Sequence, residues 1–250
     1  MATILLTIAY DGTAYCGWQN QPNGTAVQHV VEKALEQVVG EPVQIRSSGR
    51  TDAGVHARAM AAAFLTGREL PLKAYVEGVN RYLPADIAIQ TARVVPDDFK
   101  PITMAHAKQY RYSIINSTVR SPLDRLYSWQ VRETLDLEAM RQGCAHFVGH
   151  HNFAAFRASN CAAKTTNRRI DSVTITGEDT RITIDVIGGG FLKNMVRIMV
   201  GTLVEIGRGR LAPSAVRSIL QQGDRTMAGS TAPACGLCLI QVFYPERVIN

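Results

Sequence analysis

Arg46-Ser47-Ser48-Gly49-Arg50-Thr51-Asp52-Ala53-Gly54-Val55-His56-Ala57 sets one carboxylate between two glycines, with an arginine two residues before it. Gly49 and Gly54 permit backbone angles and close approaches that a β-carbon would block, so the stretch predicts a tight turn that can push Asp52 into a cleft. Arg46, Arg50 and Arg58 add positive charge nearby in sequence. A cation within a few ångströms favours the ionised carboxylate, and an ionised carboxylate is what a nucleophile or general base must be. Asp52 is therefore the first candidate for chemistry. Taken alone, an aspartate in a glycine-rich loop more often braces a turn through its own backbone, so the rest of the chain has to decide.

Strands are predicted on either side of this turn, near Val43 to Ser47 and over Ala59 to Leu65. Upstream, Leu5 to Tyr10 reads as a strand ending in the turn Asp11-Gly12-Thr13, and Thr25-Ala26-Val27-Gln28 reads as a capping box opening a helix. Val27, Val30, Val31, Ala34, Leu35 and Val38 give that helix one apolar stripe as far as Val39, where Gly40 and Pro42 stop it. A second helix is bounded by Pro71 and Pro84, and Ile87 to Val94 resumes the strand pattern. The second half repeats the recipe. Strands are expected at Lys108 to Ile115, Ile170 to Thr176, Arg181 to Ile187 and Leu237 to Tyr244, with helices near Leu135 to Phe147, Phe191 to Ile206 and Pro213 to Gln222. This predicts an α+β fold of two similar mixed halves, 1–104 and 105–250, with antiparallel sheets, joined near Asp97 to Ala105. Sheets lying edge to edge would leave a central cleft, with Asp52 on one side.

The 250 residues, 46% of them hydrophobic, can bury a sizeable core. The longest apolar runs are short, or are interrupted by Lys193, Arg197 and Glu205, and the start of the chain lacks the pattern of a secretory signal. A cytoplasmic protein is expected. Five cysteines, an odd number, do not make a disulfide framework; Cys235 and Cys238 have the spacing of a metal pair but no second pair, and suit a turn entering a strand. The net charge of +6 favours a polyanionic partner, although charged residues make up only 19% of the chain.

Gly188-Gly189-Gly190-Phe191 lacks both the spacing and the Lys-Ser/Thr ending of a nucleotide loop, which argues against a dinucleotide or ATP cofactor. It does suit an RNA phosphate at a helix N-terminus, with Lys193 and Arg197 one turn apart on one face; a solvated basic edge fits equally well. His146, His150 and His151 have a ligand-like gap, but Gly149 interrupts a helix there and no acidic residue completes the set, so no metal is assigned. In Lys108-Gln109-Tyr110-Arg111-Tyr112 a strand puts Lys108, Tyr110 and Tyr112 on one face, where a ring can stack on a base or simply lie half-buried in the sheet.

Taken in order, Tyr10-Asp11-Gly12-Thr13 with Gly17-Trp18-Gln19, Gly49 to Ala57, Tyr110-Arg111-Tyr112, Gly149-His150-His151-Asn152-Phe153, Gly190-Phe191-Leu192 with Met195-Val196-Arg197, and Ala232-Pro233 with Gly236-Leu237 resemble the TruA family of tRNA pseudouridine synthases. The likeness covers nearly the whole chain, and the Gly-Arg-Thr-Asp-Ala-Gly-Val-His-Ala run is highly specific. It implies the pseudouridine synthase fold and isomerisation of uridine to pseudouridine at positions 38, 39 and 40 of the anticodon stem-loop of transfer RNA. Neither metal nor organic cofactor is implied. Asp52 matches the family's catalytic aspartate, whether it attacks the sugar, attacks the base or takes a proton from C2′. Arg197 matches the arginine that pairs with it, Tyr110 the tyrosine that stacks on the target base, Leu237 an apolar residue of the pocket, and Arg50 a residue that helps displace the uridine. Lys193 is a candidate contact to the RNA backbone. The resemblance also implies a homodimer with one transfer RNA across both subunits.

Asn152 stands where an acidic residue is expected and Cys235 where proline is usual, with Cys16 at a variable place. Two other readings remain on the residues alone. A passive RNA-binding module would have no need of an acidic Asp52, and a nucleoside hydrolase normally calls for a second carboxylate that the sequence does not supply.

Overall fold

The computed structural model describes residues 1–22 and 24–246. In chain order its regular elements are β1 (Ala2–Tyr10), α1 (Val27–Val39), β2 (Arg46–Ser47), β3 (His56–Thr66), β4 (Ile87–Val95), β5 (Ala107–Asn116) and β6 (Trp129–Val131). There follow α2 (Leu137–Ala145), β7 (Gly149–Asn152), β8 (Asn167–Glu178), β9 (Arg181–Gly188), α3 (Met195–Gly207), α4 (Ala215–Gln222) and β10 (Leu237–Phe243). Two compact units result, Met1–Lys108 with Cys238–Asn250, and Gln109–Leu237. Each mixes helices with mostly antiparallel strands, the α+β organisation expected.

In the first unit β1 lies between β3 and β4, antiparallel to both, with Leu6 opposite Ala62 on one side and Ala92 on the other. β2 adds to β3, and β10 runs parallel to β3 through Cys238 opposite His56 and Leu239 opposite Ala57. Against the expected division at 104/105, the first unit runs on to Lys108 and takes in the strand that follows Leu237. Both faces of this sheet are covered. Leu6, Ile8, Met60 and Ile89 are fully buried, as is Leu35 of α1, while Leu5, Ala61, Ala63, Val95 and Phe99 form a cluster with Met104, Val242 and Tyr244.

α1 follows its apolar stripe, with Val27, Val31, Ala34, Leu35 and Val39 buried, and ends at Gly40 in the left-handed region. The capping box at Thr25 does not form: Ala26 is the N-cap and no side chain bonds the helix start. The first free N–H groups are taken instead by loop carbonyls, Val27 N donating to Gly17 O at 3.1 Å and Gln28 N to Trp18 O at 2.9 Å. The helix expected between Pro71 and Pro84 contains a π-helical turn over Ala74–Gly78, which buries Tyr75.

In the second unit β5, β9, β8 and β7 are neighbours in that order and β6 pairs parallel with β5. α2 is capped by Asp136, whose carboxylate accepts from Glu138 N and Ala139 N. α3 is apolar nearly all round and is buried nearly all round. β7 was not foreseen. Gly149 adopts φ 115° and the chain then pairs His150 with Arg169 and His151 with Arg168, so adjacent histidines point to opposite faces and share no helical face with His146.

Candidate active site

The turn bearing Asp52 is built by main chain. Ser48, wholly buried, donates its N–H to Ala61 O at 2.8 Å, which keeps the chain on β3 as it leaves β2. Thr51 O accepts from Trp18 N at 3.1 Å, and Asp52 forms an antiparallel bridge with Gly17. Val55 N returns to Asp52 O at 3.1 Å across Ala53 and Gly54, whose φ of 76° is the left-handed value such a turn requires. Gly54 N donates to Tyr15 O at 3.4 Å, and Gly12 N donates to His56 Nδ1 at 3.1 Å. Two loops are thus pressed together with no room for side chains between them. A Cβ at Gly12 would stand 2.0 Å from Val55 O, and one at Gly17 would stand 2.6 Å from Thr51 O.

Side chains seal the arrangement. The Tyr10 hydroxyl is 2.7 Å from the Thr51 hydroxyl, and Trp18, 1% exposed, packs against the Tyr10 ring at 5.8 Å. The Tyr-Asp-Gly-Thr and Gly-Trp-Gln motifs therefore act as the clamp of the Asp52 turn. Asp52 itself is half-buried, while Arg50, in the same loop, is exposed.

In the second unit the candidates are held by side-chain contacts. Tyr110, in β5, is 9% exposed and meets Phe191 edge to face at 5.1 Å. Arg197 lies in the first turn of α3; its Nε donates to Ala232 O at 2.7 Å and its Nη1 to Asn194 Oδ1 at 3.0 Å. Ala232 N in turn donates to Arg197 O at 3.1 Å. The next residue, Pro233, accepts from the Tyr112 hydroxyl at 2.8 Å, and burial pushes that phenol's pKa up so that it stays a donor. The Ala232-Pro233 motif is accordingly a bracket for both side chains. Leu237 is buried at the start of β10. Lys193 is exposed but does not share a helical face with Arg197: Asn194 adopts φ 61° and α3 begins only at Met195. Asp52 and Arg50 thus belong to the first unit, and Tyr110, Lys193 and Arg197 to the second, with Leu237 at its end.

Both departures from the family pattern are absorbed locally. Asn152 Oδ1 accepts from Ala154 N at 3.1 Å, a bond an aspartate would make equally well. Cys235 sits in a 3₁₀ turn leading into β10 and donates through Sγ to Ser128 O. Among the described residues no three His, Cys, Asp or Glu side chains are grouped to hold a metal. A depression of about 400 Å³ lined by His146, His151 and Arg217 does not include Asp52.

Sequence reading missed Asn194, Phe191 and Lys108 as supports. Lys108 Nζ donates to Ser48 O at 2.6 Å; the available signal was its place on the Tyr110 face of a strand.

Comparison with known proteins then supplies the class. A family model described as tRNA pseudouridine synthase matches residues 6–102 and 144–245. The chain is 64% identical over 244 residues to the tRNA pseudouridine synthase A of Pelobacter propionicus, covering 98% of this chain and 100% of that one. It is 57% identical over 247 residues to the protein of that name from Syntrophotalea carbinolica, covering 99% and 98%, and 56% identical over 244 residues to that of Geotalea uraniireducens, covering 98% and 100%. These are isomerases that modify RNA. The chain belongs to the tRNA pseudouridine synthase family, in its TruA branch.

Proposed function

We propose that the protein converts uridine to pseudouridine at positions 38, 39 and 40 of the anticodon stem-loop of transfer RNAs, with Asp52 as the catalytic carboxylate. Family membership carries the reaction class. The observation that supports Asp52 is the density of main-chain bonds and close glycine contacts holding its turn, since a reacting group must be fixed before the substrate arrives. In the reaction the N1–C1′ bond of uridine breaks, the base turns, and a C5–C1′ bond forms while C5 loses a proton and N1 gains one. The balance calls for no electron donor and no phosphoryl donor. An ionised carboxylate serves each route, as nucleophile toward C1′ or the base, or as base toward C2′.

Within this reading Tyr110 stacks on the target base, Leu237 gives it an apolar contact, and Arg197 is the counter-charge to Asp52. Arg50 helps displace the uridine from its stack, an extrusion costing a few kcal/mol, and Lys193 contacts the RNA backbone. A cytoplasmic homodimer sharing one transfer RNA completes the reading, and light scattering with and without RNA tests the dimer.

The deciding experiment incubates wild type and Asp52→Ala with unmodified transfer RNA and maps pseudouridine by carbodiimide labelling. Product at positions 38 to 40 with wild type alone is the expected outcome. Release of free uracil would instead indicate a hydrolase, and binding without isomerisation by either protein a passive RNA-binding module.

A further inference from the structure

Lys108 is an expensive residue to hold half-buried where it stands. It projects from β5 on the face shared with Tyr110 and Tyr112, and its Nζ donates to Ser48 O at 2.6 Å. A Cβ on Gly49 would lie 3.0 Å from Nζ and 3.9 Å from Cε, so the ammonium end of the side chain comes close over the glycine. Among the described residues the Ser48 carbonyl is its one hydrogen-bond acceptor and no carboxylate pairs with it. A half-buried cation without an ion-pair partner costs stability, and a methionine of similar length would avoid that cost.

The carbonyl it holds is at a decisive place. Ser48 is fixed on its other side by its N–H to Ala61 O at 2.8 Å and by its hydroxyl to Met60 Sδ at 3.6 Å. Ser48 and Gly49 are the first residues of the turn that Asp52 occupies. We propose that Lys108 is a positioning residue for Asp52, its positive charge gripping the Ser48 carbonyl and fixing the near end of the catalytic turn. This rests on the assignment of Asp52 as the catalytic group.

A charged donor holds a carbonyl more tightly than a neutral amine does. Burial lowers the pKa of Lys108 to about 8, so the grip weakens within a range that can be assayed. Burial is the cause of this shift. The Tyr244 phenol, itself pushed up by burial, meets the Ser48 side chain and donates to Pro101 O at 2.8 Å, and along the segment that carries Ser48 the charged groups are Arg46, Arg50 and Asp52. His106, earlier on the same strand run, packs on Phe243.

The test measures kcat and KM on unmodified transfer RNA between about pH 6.5 and 9.5 for wild type, Lys108→Arg and Lys108→Met, with Asp52→Ala alongside. Wild-type kcat should fall along a one-proton limb near pH 8. Lys108→Arg, which cannot lose its charge in this range, should stay active and lack that limb. Lys108→Met should lower kcat about tenfold or more with KM nearly unchanged, as expected when a reacting group is slightly misplaced. An identical limb in Lys108→Arg, or wild-type kcat in Lys108→Met, overturns the proposal. If Lys108→Met does not fold, the limb in Lys108→Arg decides. An active Asp52→Ala would sink the assignment of Asp52 itself, whereas an inert Asp52→Ala beside an unshifted Lys108→Arg limb would remove Lys108 alone.

Discussion

Asp52 and Arg197 are held by opposite means. The carboxylate sits on an irregular turn fixed by backbone: a bond from Trp18 N, a bond to Tyr15 O, a bridge to Gly17, and glycines too close to neighbouring carbonyls to bear a side chain. The arginine sits on a regular helix, and its guanidinium donates to a carbonyl, Ala232 O, and to an amide side chain, that of Asn194. The first arrangement separates shape from chemistry, because the Asp52 side chain can change while the backbone stays. In the second, geometry depends on the arginine fork itself and on Asn194.

The largest effect should come from Asp52→Asn, which changes one atom: kcat falls about 10³-fold or more while the urea midpoint stays near wild type. A large loss of stability in this variant would mean that the side chain, not the backbone, builds the turn. Next is Gly12→Ala, whose methyl would meet Val55 O at 2.0 Å. It should cost about 3 kcal/mol or more in chemical unfolding, the range of forced backbone displacement.

On the Arg197 side, Asn194→Gly keeps the φ of 61° accessible and removes only the bond to Nη1 at 3.0 Å. Stability should change little and kcat should drop about fivefold, the value of one hydrogen bond of about 1 kcal/mol. An unchanged kcat would show that the bond to Asn194 is not needed to aim the guanidinium.

Stability should also respond to Lys108. Its folded pKa, about 8, lies below the ordinary lysine value of 10.5, so between those pH values the unfolded chain binds more protons than the folded one, and stability must rise with pH. Wild type should therefore gain stability relative to Lys108→Met as pH climbs through this window, while its activity falls. Thermal unfolding of both proteins across that range measures it. The smallest effect is expected for Asn152→Asp, within about 0.5 kcal/mol, since the bond to Ala154 N persists.

Local pattern made part of this legible. The stripe of α1 and the alternation of β5 report which face is buried, and Gly49 and Gly54 announce a turn before any partner is known. What stayed hidden depends on distant partners. Thr25 satisfies the rule for a capping residue, yet carbonyls of Gly17 and Trp18 reach the helix start instead. β7 is too short and polar to show a period, and only pairing with β8 makes it a strand. The cost of burying Lys108 is invisible until the Ser48 carbonyl appears beside it. The motifs around Tyr10 and Gly17 could be read as a resemblance, but their clamping role needed the close approach of two loops.

The parallel pairing of β10 with β3 has a bearing on biosynthesis. His56, which closes the Asp52 turn, finds its strand partner in Cys238. While the ribosome is still making the intervening residues, that edge of β3 offers unpaired N–H and C=O groups to any passing strand. A nascent chain arrested before Cys238 should consequently be protease-sensitive and sticky even with every residue of the Asp52 turn already translated, so that this turn is held securely only once β10 has been made.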